Sequence, residues 1–207
     1  LKALTMLEQA RMFGLSQEII GSPEGANTQV PYLKGVVVAW DENRTAAMNC
    51  TGLCIFNTLT TGYLGHGVEL VAGAYTAVTG LKTEDLLLIG ERVYNIEKAF
   101  NSRLGFTRKD DTLCEQWMKE PIPKGYPGEG MKGEDYFDLM MDEYYEYRGI
   151  DVENGLQTRD RLEELGLKDI ADTLDRENVL SLAKPRARDD VLKDAINKAE
   201  KFKAGMK

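Results

Sequence analysis

Cys50 and Cys54 stand four residues apart in Asn49-Cys50-Thr51-Gly52-Leu53-Cys54, a spacing that puts two thiols on one face of a helix. Iron–sulfur clusters need several thiolates converging on one point. Two thiols cannot complete a four-ligand site, and the third cysteine, Cys114, lies far along the chain. An odd count of three argues against a disulfide framework and leaves buried thiol, reactive thiol and metal ligand open. Cys114 alone reads as a small hydrophobe packed in a helix. The single histidine, His66 in Gly65-His66-Gly67, could titrate near neutrality, but no acidic neighbour in sequence orients it, which predicts an exposed loop or a helix N-terminus. Glu91, Arg92, Asn95, Asn101 and Arg103 crowd one segment, whose simplest reading is a solvated helix face. Asn101 and Arg103 fall where side chains can bond the unpaired carbonyls of a helix end.

The elements that must hold these residues read as helices. Leu33 to Phe56 is long and apolar, with Gly35 to Trp40 equally good as a strand or a buried helix. Val68 to Val78 is apolar at helical spacing and stops at Gly80. Thr83 is placed as an N-cap, with Glu84 and Asp85 in the first turn where the helix dipole favours negative charge. That helix should run to about Leu104 before Gly105, with Leu86, Ile89, Val93, Ile96 and Phe100 as its core face. Lys109-Asp110-Asp111 is expected to cap a helix beginning near Thr112. The prolines and glycines between Pro121 and Gly133 predict a long exposed loop. A helix rich in aromatic residues follows to Gly149, with Tyr144, Tyr145 and Tyr147 reading as core and interface packing. A short helix from Thr158 to Leu165 closes at Gly166, and a charged amphipathic helix, anchored by Val191, Leu192, Ile196 and Phe202, fills Asp189 to Lys207. The fold class is therefore all-α: one helical region over 1–207, with a possible subdivision near 121–133.

A chain of 207 residues with 43% hydrophobic and 29% charged residues can bury a core, and its net charge of −8 supplies no clustered Lys and Arg for nucleic acid. No apolar run reaches the ~18 residues of a membrane span, and no signal peptide opens the chain, so the cytoplasm is the expected compartment. The start at Leu1, already inside an apolar pattern, reads as a fragment or a processed product.

Glu91-Arg92-Val93-Tyr94-Asn95-Ile96-Glu97-Lys98-Ala99-Phe100-Asn101-Ser102-Arg103-Leu104-Gly105, taken with Asn49-x-x-Gly52-Leu53-Cys54, resembles the C-terminal part of the aldehyde ferredoxin oxidoreductase family. The resemblance covers roughly Arg11 to Leu180 and is strongest from Gly90 to Leu113 and from Asp142 to Gly166. It implies a tungsten or molybdenum bis-pterin beside a 4Fe-4S cluster. In the family an Asp-x-x-Gly-Leu-Cys motif supplies one cluster thiolate and touches the pterin, the other three thiolates coming from an earlier Cys-x-x-Cys-x-x-x-Cys run. Carried over, Cys54 is the metal ligand, Asn49, Gly52 and Leu53 face the cofactor, and Cys50 falls on a variable position. Gly52 would let the backbone approach the flat pterin, and the side chain at position 49 would bond its ring nitrogens. Asn49 replaces the family's Asp, offering a donor and an acceptor where an ionised Asp offers acceptors only. Ala10-Arg11-Met12-Phe13-Gly14-Leu15-Ser16-Gln17-Glu18-Ile19 resembles a second active-site segment, with Arg11 as its basic, cofactor-binding member and Gln9 where the family has His.

What the resemblance implies is the C-terminal part of an enzyme that oxidises aldehydes to carboxylic acids and passes electrons through the cluster to ferredoxin or a partner subunit. The metal does the chemistry and the protein orients and tunes it. The remaining domains of the enzyme would be its partners, with a homodimer possible. Reduction of an aromatic coenzyme A thioester is an alternative within the family, and a non-catalytic helical scaffold is the alternative from another class.

Overall fold

Apolar residues at three- and four-residue spacing and glycines at the stops divide the chain into helices. The computed structural model describes residues 6–52, 67–126 and 128–205. Among these residues it contains nine α-helices and no strand: α1 Met6–Ile20, α2 Lys34–Cys50, α3 Gly67–Thr79, α4 Thr83–Arg103, α5 Glu115–Lys119, α6 Gly133–Arg148, α7 Arg159–Glu164, α8 Lys168–Arg176 and α9 Arg188–Gly205. Single-turn 3-10 helices at Pro23–Ala26 and Arg108–Asp110 and isolated bridges at Ile150–Gln157 and Thr158–Ser181 complete the regular structure. The fold is all-α, and Gly35 to Trp40 is helix. No described helix is long and apolar enough to cross a membrane.

The central element is α2, which packs on α4 along one side and on α6 along another. Two glycines make these approaches possible. A Cβ on Gly35 would sit 2.5 Å from the Tyr144 amide nitrogen of α6, and one on Gly90 of α4 would sit 1.9 Å from the Asn43 carbonyl oxygen of α2. Around this stack lie three apolar clusters: Ile20, Val30, Leu33 and Val36 closed by Ala195 and Ala199 of α9; Ala39 with Tyr144, Tyr145 and Ile150; and Ala99 with Leu162, Ala171 and Leu174. Tyr144 and Tyr145 are core residues, as their type predicts. The last helix uses small Ala195 and Ala199 as well as its large apolar anchors, because close helix contacts favour small side chains.

Four local expectations are corrected. Thr83 is the first helical residue rather than the cap: Lys82 holds the cap position, and its N–H donates to the Asp85 carboxylate at 2.8 Å. Asp110 caps its own 3-10 turn by accepting from the Thr107 N–H at 2.8 Å, while Asp111 turns inward to accept from the Tyr145 hydroxyl and pair with Lys98; the next helix begins only at Glu115. Cys114 is exposed just before α5, not packed in a helix. The core face expected on α4 holds at Leu86, 3% exposed, and fails at Ile96 and Phe100, 46% and 61% exposed.

What α4 buries instead is polar. Glu91, Asn95, Lys98 and Ser102 are all under one-tenth exposed. Glu91 accepts from Arg161 of α7 and from Arg188 at the start of α9. Gln157 donates to the Asn95 backbone carbonyl at 3.0 Å and to its side-chain oxygen at 2.7 Å. A buried polar group is tolerated when its partners are present, and for Glu91 and Asn95 they come from segments distant in sequence, whereas the Ser102 hydroxyl has no partner among the described residues. Arg103 pairs with Glu177 at 2.6 Å rather than with the carbonyls of its own helix end.

Candidate functional site

The last turn of α2 buries Ala47 and Met48 and leaves Asn49 and Cys50 exposed. The Thr51 hydroxyl donates to the Met48 carbonyl at 2.7 Å, and the Gly52 N–H donates to the Asn49 carbonyl at 3.2 Å, which closes the helix. Gly52 has φ +74, the left-handed region where a side chain is strained, yet a Cβ there would meet nothing within 4 Å. The glycine is thus required by the backbone turn, and among the described residues nothing fills the space in front of it. The helix carrying Cys50 ends at that residue and Gly52 turns the backbone out of the helical path; Cys54, the other thiol of the expected pair, lies outside the described residues.

Asn49 and Gly52 therefore come together on one exposed turn. Arg11 belongs to α1, close to the beginning of the described chain. Leu53, Cys54 and His66 lie outside the described residues. Among the described residues no group of three or more His, Cys, Asp or Glu side chains could hold a metal ion.

On the same molecule, a cleft of about 680 Å³ opens between α2, α4 and α6. Val38, Phe137 and Met140 line it with apolar surface, and its polar side is a short hydrogen-bond chain. Tyr144 donates to Glu42 at 2.6 Å, leaving its oxygen to accept from the Tyr94 hydroxyl at 2.7 Å. Burial pushes the Tyr94 phenol up to about 12 and drives Tyr144 higher still, so both remain neutral donors across the physiological range. Beneath them Arg148, 1% exposed, stacks 3.6 Å from the Tyr94 ring centroid and donates to Glu42, to the Asn43 side chain and to the Ala39 carbonyl. Sequence reading missed this chain of contacts. The run of tyrosines at 144, 145 and 147 hinted at packing, but nothing local pairs Tyr144 with residues of α2 and α4.

An all-α protein whose central helix ends in an exposed Asn-x-x-Gly turn is the class that fold and site define. Residues 7–167 match the family model described as aldehyde ferredoxin oxidoreductase, domains 2 and 3, and the chain belongs to this family. A tungsten-containing aldehyde ferredoxin oxidoreductase of Pyrococcus horikoshii is 32% identical over 163 residues, covering 77% of this chain and 25% of the relative. Proteins of the same description from Pyrococcus furiosus and Thermococcus kodakarensis are 33% and 32% identical, each covering 74% of this chain and 24% of the relative. The chain thus spans about a quarter of the length of the curated relatives it matches. No solved structure matches it. The family match ends at residue 167, so α8 and α9 lie beyond it.

Proposed function

We propose that this chain is the C-terminal, cofactor-facing part of a tungsten- or molybdenum-dependent aldehyde:ferredoxin oxidoreductase. The observation that carries the reading is the exposed turn at Asn49 and Gly52, which falls on the family's pterin- and cluster-contacting motif. Its residues fit that group chemically: the exposed Asn49 amide offers one donor and one acceptor edge to a heteroaromatic ring, and the space at Gly52, open among the described residues, leaves room for a flat ligand. Leu53 would complete the apolar contact, Arg11 would supply a cation for the anionic cofactor, and Cys54 would contribute one of the four thiolates of a 4Fe-4S cluster. When bound, the metal centre supplies the two-electron oxidation of an aldehyde to a carboxylic acid, with ferredoxin or an electron-transfer subunit as acceptor. The share of this chain is orientation: α2 presents position 49 at a fixed place, on the turn closed by Gly52. The cytoplasm is the compartment that suits this chemistry.

The test is the full-length polypeptide that carries this chain, purified without oxygen. Bound tungsten or molybdenum, about four irons and aldehyde oxidation with a dye acceptor are expected, and Cys54→Ala should remove the cluster absorbance. A wild-type protein without metal or iron would leave a helical scaffold as the reading.

A further inference from the structure

We propose that Glu143 and Arg148 of α6 are positioning residues for the Asn49–Gly52 turn: they fix the axial place and rotation of α2 and so decide where that turn is presented. The inference rests on the reading of that turn given under Proposed function, but its geometry stands apart from any cofactor.

Glu143 holds the beginning of α2. Its two carboxylate oxygens accept from the Leu33 and Gly35 N–H groups, each at 2.9 Å, satisfying amides that a helix start leaves without partners. Leu33 has φ +69, a left-handed conformation that a bulky residue adopts only when its surroundings enforce it, and it is fully buried. Arg148 holds the middle. Its guanidinium reaches the Ala39 carbonyl at 2.9 Å, the Asn43 side chain at 2.7 Å and Glu42 at 2.7 Å, so three residues of one helical turn are gripped by one rigid fork. At the first hold, Gly35 also brings the α2 backbone against that of α6, which removes slack for sliding.

Stability alone is a poor account of these residues. Buried ions are expensive to desolvate, and apolar replacements of similar volume often stabilise as well or better. What a buried fork and a buried carboxylate specify is register. Asn49 lies six residues beyond Asn43 on the same helix, about 9 Å along its axis, so a rotation at the grip is carried directly to the turn. Misplacement of about 1 Å at a reacting centre can lower turnover about 10²-fold.

The experiment is amide hydrogen exchange by mass spectrometry on the full-length polypeptide, comparing wild type with Arg148→Lys, which keeps the charge and loses the fork, and Glu143→Gln. Exchange over residues 45–52 should rise about tenfold in both variants, while α8, which packs on α7 and α4, exchanges as in wild type. Unchanged exchange over 45–52, or a rise by one factor throughout the molecule, overturns the proposal; if Arg148→Lys does not fold, Glu143→Gln decides. A second readout separates this inference from the proposed function. If wild type carries iron and tungsten, Arg148→Lys should shift the electron paramagnetic resonance of the metal centres at full metal content, and an unshifted spectrum counts as overturning. If wild type carries no metal, the functional reading falls and the exchange result alone decides the positioning role.

Discussion

Two faces of α4 contradict the simplest rule of helix burial. The face carrying Glu91, Asn95, Lys98 and Ser102 is buried, while Ile96, Phe100 and Leu104, spaced four residues apart, are exposed. The buried face is polar because other segments bring partners to it: Arg161 of α7 and Arg188 of α9 for Glu91, and Gln157, just before α7, for Asn95, while Gly90 lets α4 press against Asn43 of α2. The exposed face has no described helix over it. The comparison teaches that the identity of a residue fixes what it needs, whereas the tertiary arrangement decides where the need is met.

The comparison can be broken most severely at Gly90. A Cβ there enters the Asn43 carbonyl, a backbone atom that cannot turn aside, so Gly90→Ala should lower stability by about 3 kcal/mol or more in a denaturant titration. Retention of wild-type stability would mean that α2 and α4 sit further apart than described. Next is Glu91→Gln, which weakens the anchors of two arginines and should lower stability by about 2 kcal/mol at pH 7.

The same carboxylate gives a pH dependence. Burial alone would raise its pKa, but the hydrogen bond and charge of Arg188, followed by those of Arg161, outweigh burial and hold it below 4.5. A carboxylate depressed on folding contributes stability that is complete above its unfolded pKa and disappears as the pH falls through the folded one. Wild type should therefore lose stability steadily below about pH 4.5, and Glu91→Gln should show a shallower acid slope in parallel melts. Equal slopes would show that Glu91 is not the titrating group.

Smallest in stability is the opposite face. Phe100→Ser, at a residue 61% exposed, should change the unfolding free energy by less than about 0.5 kcal/mol. A loss of 2 kcal/mol or more would show that the apolar face is covered within this chain.

The places where helices end were legible early. Gly105 and Gly149 stop α4 and α6 because both adopt positive φ, which glycine adopts most readily, and the aromatic run of α6 was legible as core. The expected core face of α4 was less legible, because a hydrophobic stripe at helical spacing says that a helix is amphipathic without saying which neighbours arrive. Cys114 shows the same limit: its type predicts burial, but the loop after Asp111 carries it outward. At the candidate site, Asn49 and Gly52 were singled out by the resemblance to the family's motif. The grip of Glu143 and Arg148 on α2 was not, since it spans more than a hundred residues of sequence.

By itself, the sequence determined the all-α class, the glycine stops and the motif by which the chain's family is recognised, because these depend on local backbone preference and on residue identity. Only the tertiary structure decided that a buried arginine and glutamate hold the motif helix, that α4 turns its polar side inward, and that α9 closes the core around Leu33. Those outcomes depend on which partners meet across the fold, and the energy of a buried charge is set by partners that no local window contains.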